Sequence, residues 1–130
     1  MKLITKEIEK KLLATPVNST RDKSPEDIPV IVKFFGGGQY SCFVYEGDKL
    51  ENGDWLFSIF GCMHENEFGS ILLSELETVH FPPFGLPIER DMYLPKMTLD
   101  DVLAEYGSSH YKFNGARPMN EQKIKPNSND

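Results

Sequence analysis

The sequence predicts an α+β domain, an antiparallel meander of four to five strands with an N-terminal helix, a short middle helix and a C-terminal helix. Three observations carry that prediction. Between Val30 and Ser74 the chain is a succession of runs rich in aromatic and β-branched residues. Gly-rich or Asn-Gly segments separate the first three of them, which suits hairpin connections. Helical patterning is confined to segments flanking these runs.

The elements follow in order. Thr5 can cap a helix running to about Leu13, with Ile8 and Leu12 one turn apart on its inner face and Lys6, Glu9, Lys10 and Lys11 mostly outward. Residues 15–29 are polar and carry Pro16, Pro25 and Pro29, so they read as a loop. The first strand is Val30-Ile31-Val32-Lys33-Phe34-Phe35, ended by Gly36-Gly37-Gly38, a turn needing positive φ. Those glycines precede a strand, not a helix, and so do not form a phosphate cradle.

The second strand, Gln39 to Tyr45, runs into a polar hairpin loop from Glu46 to Asp54. The third, Trp55 to Phe60, is apolar on both alternating faces, as expected of a central strand covered on two sides. His64-Glu65-Asn66-Glu67 forms the next turn and Phe68 to Leu73 the fourth strand. Ser74-Glu75-Leu76-Glu77 has the S-x-x-E form of a capping box and opens a short helix. The three prolines in residues 80–87 exclude a helix there. Ile88 to Tyr93 reads as an edge strand, and Thr98 opens a last helix with Leu99, Val102, Leu103 and Tyr106 inward and Gly107 as its stop.

A chain of 130 residues fits one domain. That domain is expected over residues 1–109, with 110–130, low in apolar residues, as a disordered tail. Net charge is −6. The tail carries Lys112, Arg117, Lys123 and Lys125 against Glu121 and Asp130, a balance of +2, which leaves −8 on residues 1–109. Such a body repels a phosphate backbone at long range and disfavours general nucleic-acid binding. The N-terminus has no apolar core for a signal peptide, and no run of about 18 apolar residues suggests a membrane span. The expectation is a cytoplasmic protein with no membrane association. Cys42 and Cys62 lie within predicted strands and form no C-x-x-C pair, so they read as buried thiols.

Across Trp55 to Asp91 and the segments before it, the chain resembles the bacterial DUF2958 family, a domain of unknown function. The matching residues are Leu3-Ile4-Thr5-Lys6-Glu7-Ile8, Val32-Lys33-Phe34-Phe35, Asp54-Trp55-Leu56-Phe57, Phe60-Gly61, Glu67-Phe68-Gly69, Leu73-Ser74-Glu75-Leu76-Glu77 and Gly85-Leu86-Pro87-Ile88-Glu89-Arg90-Asp91. The resemblance covers residues 1 to about 106. It implies a bacterial protein linked to mobile elements or plasmids and supplies no catalytic residues. Ser70-Ile71-Leu72 departs from it, standing where an aromatic-containing strand is expected.

Candidate sites are few. His64, Glu65 and Glu67 cluster in a turn, but zinc sites use three or four spaced ligands with more His or Cys, so solvated turn residues are the better reading. No metal or other cofactor is expected. Cys42, flanked by Ser41 and Phe43 in a strand, reads as core; His80 and His110 are isolated; no G-x-S-x-G elbow occurs. Arg90, between Glu89 and Asp91, reads as a structural tie to a body carboxylate, Glu75 or Glu77, with partner binding as its second role. Phe81-Pro82-Pro83-Phe84 puts two rings on a stiff loop, which suits a protein-binding hot spot or a cover for the sheet. A protein-interaction module is therefore the leading expectation, its partner another protein, its contact residues Phe81, Pro82, Pro83, Phe84, Glu89, Arg90 and Asp91. A single-stranded nucleic-acid binder ranks second, since Lys33 is the only base in the four strand runs, and an enzyme third.

Overall fold

The computed structural model describes residues 2–62 and 66–106, Cys62 through its backbone alone. The elements are α1 (Lys6–Leu13), β1 (Val32–Gly36), β2 (Tyr40–Lys49), β3 (Trp55–Cys62), β4 (Glu67–Leu72), α2 (Leu73–Glu77), β5 (His80–Phe81), β6 (Leu86–Pro87), β7 (Glu89–Arg90) and α3 (Leu99–Tyr106). A 3₁₀ turn, Pro25–Asp27, interrupts the first loop. Five strands form one antiparallel sheet in the order β4-β3-β2-β1-β7, and β5 and β6 form a separate hairpin. The α+β meander and its three helices are thus present, with β7 added beside β1.

Strand alternation places two cores on opposite faces of this sheet. On one face Phe34, Val44, Phe57 and Ile59 are covered by Leu12 of α1, Leu76 of α2 and the N-terminal Leu3 and Ile4. On the other, Phe43, Tyr45, Phe60 and Phe68 are covered by Leu99 and Val102 of α3 together with Ile28 and Val30. The two-sided burial expected of β3 follows: Phe57 and Phe60, one on each face, are both fully buried. Each such side chain contributes about 1.5–3 kcal/mol by leaving water.

Local chemistry sets the element boundaries. The Thr5 hydroxyl accepts from the Ile8 amide at 3.2 Å and caps α1, as its spacing predicts. Gly37 and Gly38 take φ of +61° and +82° in the β1–β2 turn. The Asp101 carboxylate accepts from the Thr98 amide at 2.9 Å at the start of α3.

Four differences from the sequence reading have a local cause. β1 begins at Val32, because the Val30 amide donates to Met97 O at 3.0 Å and not to β2. β2 continues through Glu46 to Lys49, so the hairpin loop is only residues 50–54. The capping chemistry of α2 is shifted by two residues: Glu75 Oε1 accepts from the Leu72 amide at 2.8 Å, while the Ser74 hydroxyl donates to Asp54 at 2.6 Å. The edge strand is confined to Glu89–Arg90, after which the Asp91 carboxylate accepts from the Tyr93 amide and turns the chain.

The Asp54 contact has a pH signature. The Ser74 hydroxyl, with the Trp55 and Ser74 amides behind it, holds the Asp54 carboxyl below its ordinary value of 3.8. A depressed carboxyl contributes stability above the unfolded-state value and loses it as pH falls through the folded one. Asp54→Asn should therefore weaken the fold slightly at neutral pH and make little difference well below pH 3.8, measured as paired acid-melting curves.

Candidate functional site

Three regions bear on function. The first is the β5–β6 hairpin. Phe81 pairs with Leu86 across it, and the Pro82–Pro83 peptide in its tip is cis. The Phe81 ring lies where a Cβ on Gly36 or Gly37 would stand, and its centroid is 5.9 Å from that of Tyr40. That seats the base of the hairpin on the β1–β2 turn. The tip is left outside: Phe84 is 83% exposed and Leu86 56%. The two readings of this loop are therefore divided between its rings, Phe81 covering the sheet and Phe84 facing water. Glu77 lines a shallow recess together with Pro87, and Glu75 and Glu89 are exposed.

The second region is an open cleft of about 830 Å³ between α1 and the segment after β7. Ile31 and Val32 lie on its floor, Ile8 and Lys11 on the α1 wall, and Leu94 and Lys96 on the other. The cleft exists because residues 91–97 leave the sheet edge. Asp91 N–H donates to Lys33 O at 2.9 Å, Val30 N–H donates to Met97 O at 3.0 Å, and the chain between them loops outward. Met92 and Tyr93 on that excursion are 62% and 89% exposed.

Arg90 and Asp91 line this cleft, whereas Glu89 is exposed beside it. The Arg90 guanidinium donates to the Lys2 carbonyl, so it ties β7 to the N-terminal segment, where a carboxylate partner was expected. Glu75 instead serves the Leu72 amide.

The third region is Glu46, fully buried within β2. A register shift between Val44 and Glu46 turns it off the regular alternation. Its carboxylate accepts from the Asn18 amide at 2.9 Å, the Thr20 amide at 3.0 Å, the Thr20 hydroxyl, and the Ser58 hydroxyl at 2.7 Å. Asp48, two residues on, accepts from the Val17 amide at 3.0 Å. These two acids fall in the polar hairpin loop that the sequence predicts from Glu46 to Asp54, yet they lie in β2 and clamp the loop after α1 onto it. Next to Glu46, burial and then the Glu46 charge push the Tyr45 phenol well above its ordinary value of 10.0, which keeps it protonated. The only sequence cue for this site was an acid directly after a strand of high β-propensity.

Of the remaining candidates, Cys42 is buried in the core as expected. His80 is exposed, its Nδ1 2.9 Å from Thr78 O. His64, Glu65, His110 and the tail lie outside the described residues. Among the described residues no group of three His, Cys, Asp or Glu side chains could hold a metal ion, and no helix is long and apolar enough to cross a membrane.

No curated protein and no solved structure matches the chain. The family model described as "Protein of unknown function (DUF2958)" matches residues 3–108, which takes in all three regions above. The chain belongs to the DUF2958 family.

Proposed function

We propose that this domain is a protein-interaction module whose contact element is the β5–β6 hairpin, and that its partner offers an apolar recess with a basic rim. The observation that carries this reading is the division of labour within the hairpin: a base wedged against Gly36, Gly37 and Tyr40, and a tip holding Phe84 in water. A large ring on a pre-ordered tip gives contact area with little ordering entropy to lose. Glu77, which shares a recess with Pro87 of β6, and a body of net charge −8 supply the complement to basic residues. The bacterial and mobile-element setting implied by the family resemblance suits a partner encoded on the same element. Single-stranded nucleic acid is the weaker fit, because the strand aromatics that bases would stack on, Phe43, Phe57 and Phe60, are buried in the two cores.

The test begins with a photoreactive benzoylphenylalanine at position 84 in cells. It should cross-link a discrete protein, which is then purified and titrated. Phe84→Ala should weaken that binding roughly thirtyfold, the loss typical of a hot-spot ring. It should leave the melting temperature unchanged, since the ring is almost fully exposed. Equal affinity of wild type and Phe84→Ala would overturn the assignment.

A further inference from the structure

We infer that the cleft between α1 and residues 91–97 is a separate binding site for a small amphipathic anion, an apolar body of about ten carbons or a fused aromatic pair carrying a carboxylate or sulfonate. Four observations lead there. The volume, about 830 Å³, is that of a small-molecule site and not of a packing defect. The floor and much of the walls are apolar, with Ile8, Ile31, Val32 and Leu94 all facing the space.

The third observation is charge. Lys11 and Lys96 stand on opposite walls, and among the described residues neither ammonium has an ion-pair or hydrogen-bond partner. The charged residues lining the cleft are Lys11, Arg90 and Lys96 against Glu7 and Asp91, a balance of +1. Two unpaired cations flanking apolar surface, in a body whose net charge is −8, select an anion with an apolar tail.

The fourth observation decides between a small ligand and a peptide. A peptide strand could add to the exposed β1 edge only if that edge were open along its length. It is closed at both ends, by the bond from Asp91 to Lys33 and the bond from Val30 to Met97. Only Ile31 and Val32 lie between them, and the Ile31 amide already donates to Val44 O, so the gap is too short for strand addition and adequate for one small molecule. The site is distinct from the hairpin and does not depend on its assignment.

The probe is 8-anilinonaphthalene-1-sulfonate, followed by its fluorescence on the native protein. Saturable enhancement is expected. Decanoate should displace the dye at roughly tenfold lower concentration than decyltrimethylammonium, both below micelle formation. The double variant Lys11→Gln, Lys96→Gln should bind the dye about tenfold more weakly; both side chains are exposed, so its melting temperature should stay within a few degrees of wild type. Phe84→Ser should bind as wild type does. In amide spectra, decanoate should shift Ile31, Val32 and Lys96. Absence of saturation, indifference to competitor charge, or shifts clustered at Phe84 would each overturn the site.

Discussion

Glu46→Ala should lower the stability of the domain by about 3 kcal/mol, a fall of roughly 12 °C in melting temperature, followed by circular dichroism or urea titration. The reason is the number of donors that depend on one side chain. Two backbone amides and two hydroxyls point at this carboxylate in a site with no exposure, and a buried donor left unsatisfied costs about 1–3 kcal/mol. Water entering the space left by the truncation would recover part of that, which keeps the expected loss below the full sum. Glu46→Gln retains one acceptor but turns an amide NH₂ toward existing donors, so it should fall between wild type and Glu46→Ala. The loss should also be local in its early signs: the backbone near Asn18 and Thr20 should become accessible to protease before the sheet melts. A Glu46→Ala protein as stable as wild type would show that the loop is held by other contacts.

The second large effect belongs to Gly61. It sits in β3 opposite Cys42 with φ of +126°, a conformation that side-chain-bearing residues rarely adopt. A Cβ there would also overlap the carbonyl oxygen of Ser41. Backbone atoms in a sheet ladder cannot swing aside as a side chain can. Gly61→Ala thus combines dihedral strain with a collision and should cost about 3 kcal/mol or more. Hydrogen exchange should report it first at the Ser41–Cys62 end of the ladder, where β2 and β3 would separate. A melting temperature within a degree or two of wild type would mean that this strand end relaxes without loss.

Much of the fold was legible because its signals are local. Thr5 caps, Gly37 and Gly38 turn, and the alternation in Trp55 to Phe60 marks a strand covered twice; each depends on a few neighbouring residues. What was illegible depends on partners remote in sequence. Glu46 looks like a loop acid until residues 18 and 20, some 26 to 28 positions earlier, bring their amides to it. The end of Arg90's tie, the Lys2 carbonyl, lies 88 positions away. Asp54 takes the Ser74 hydroxyl out of the capping role that its own spacing suggests. The hairpin was singled out from its prolines and rings, but only the position of Phe81 over the glycine turn separates its anchored half from its exposed half. The cleft had no sequence signature, since it is the space left when residues 91–97 leave the sheet edge.

The seating of Phe81 has a bearing on how this domain can diversify. The aromatic ring and Gly36 beneath it are a lock and its keyway: a bulkier residue in one demands a smaller one in the other, so these two positions can drift only as a matched set, while Gly37 is fixed by its φ of +61° as well. Phe84, exposed at the tip, carries no such obligation. The domain can therefore exchange the side chain it displays while keeping the mounting, and descendants of one ancestor could acquire different binding preferences without refashioning their interior.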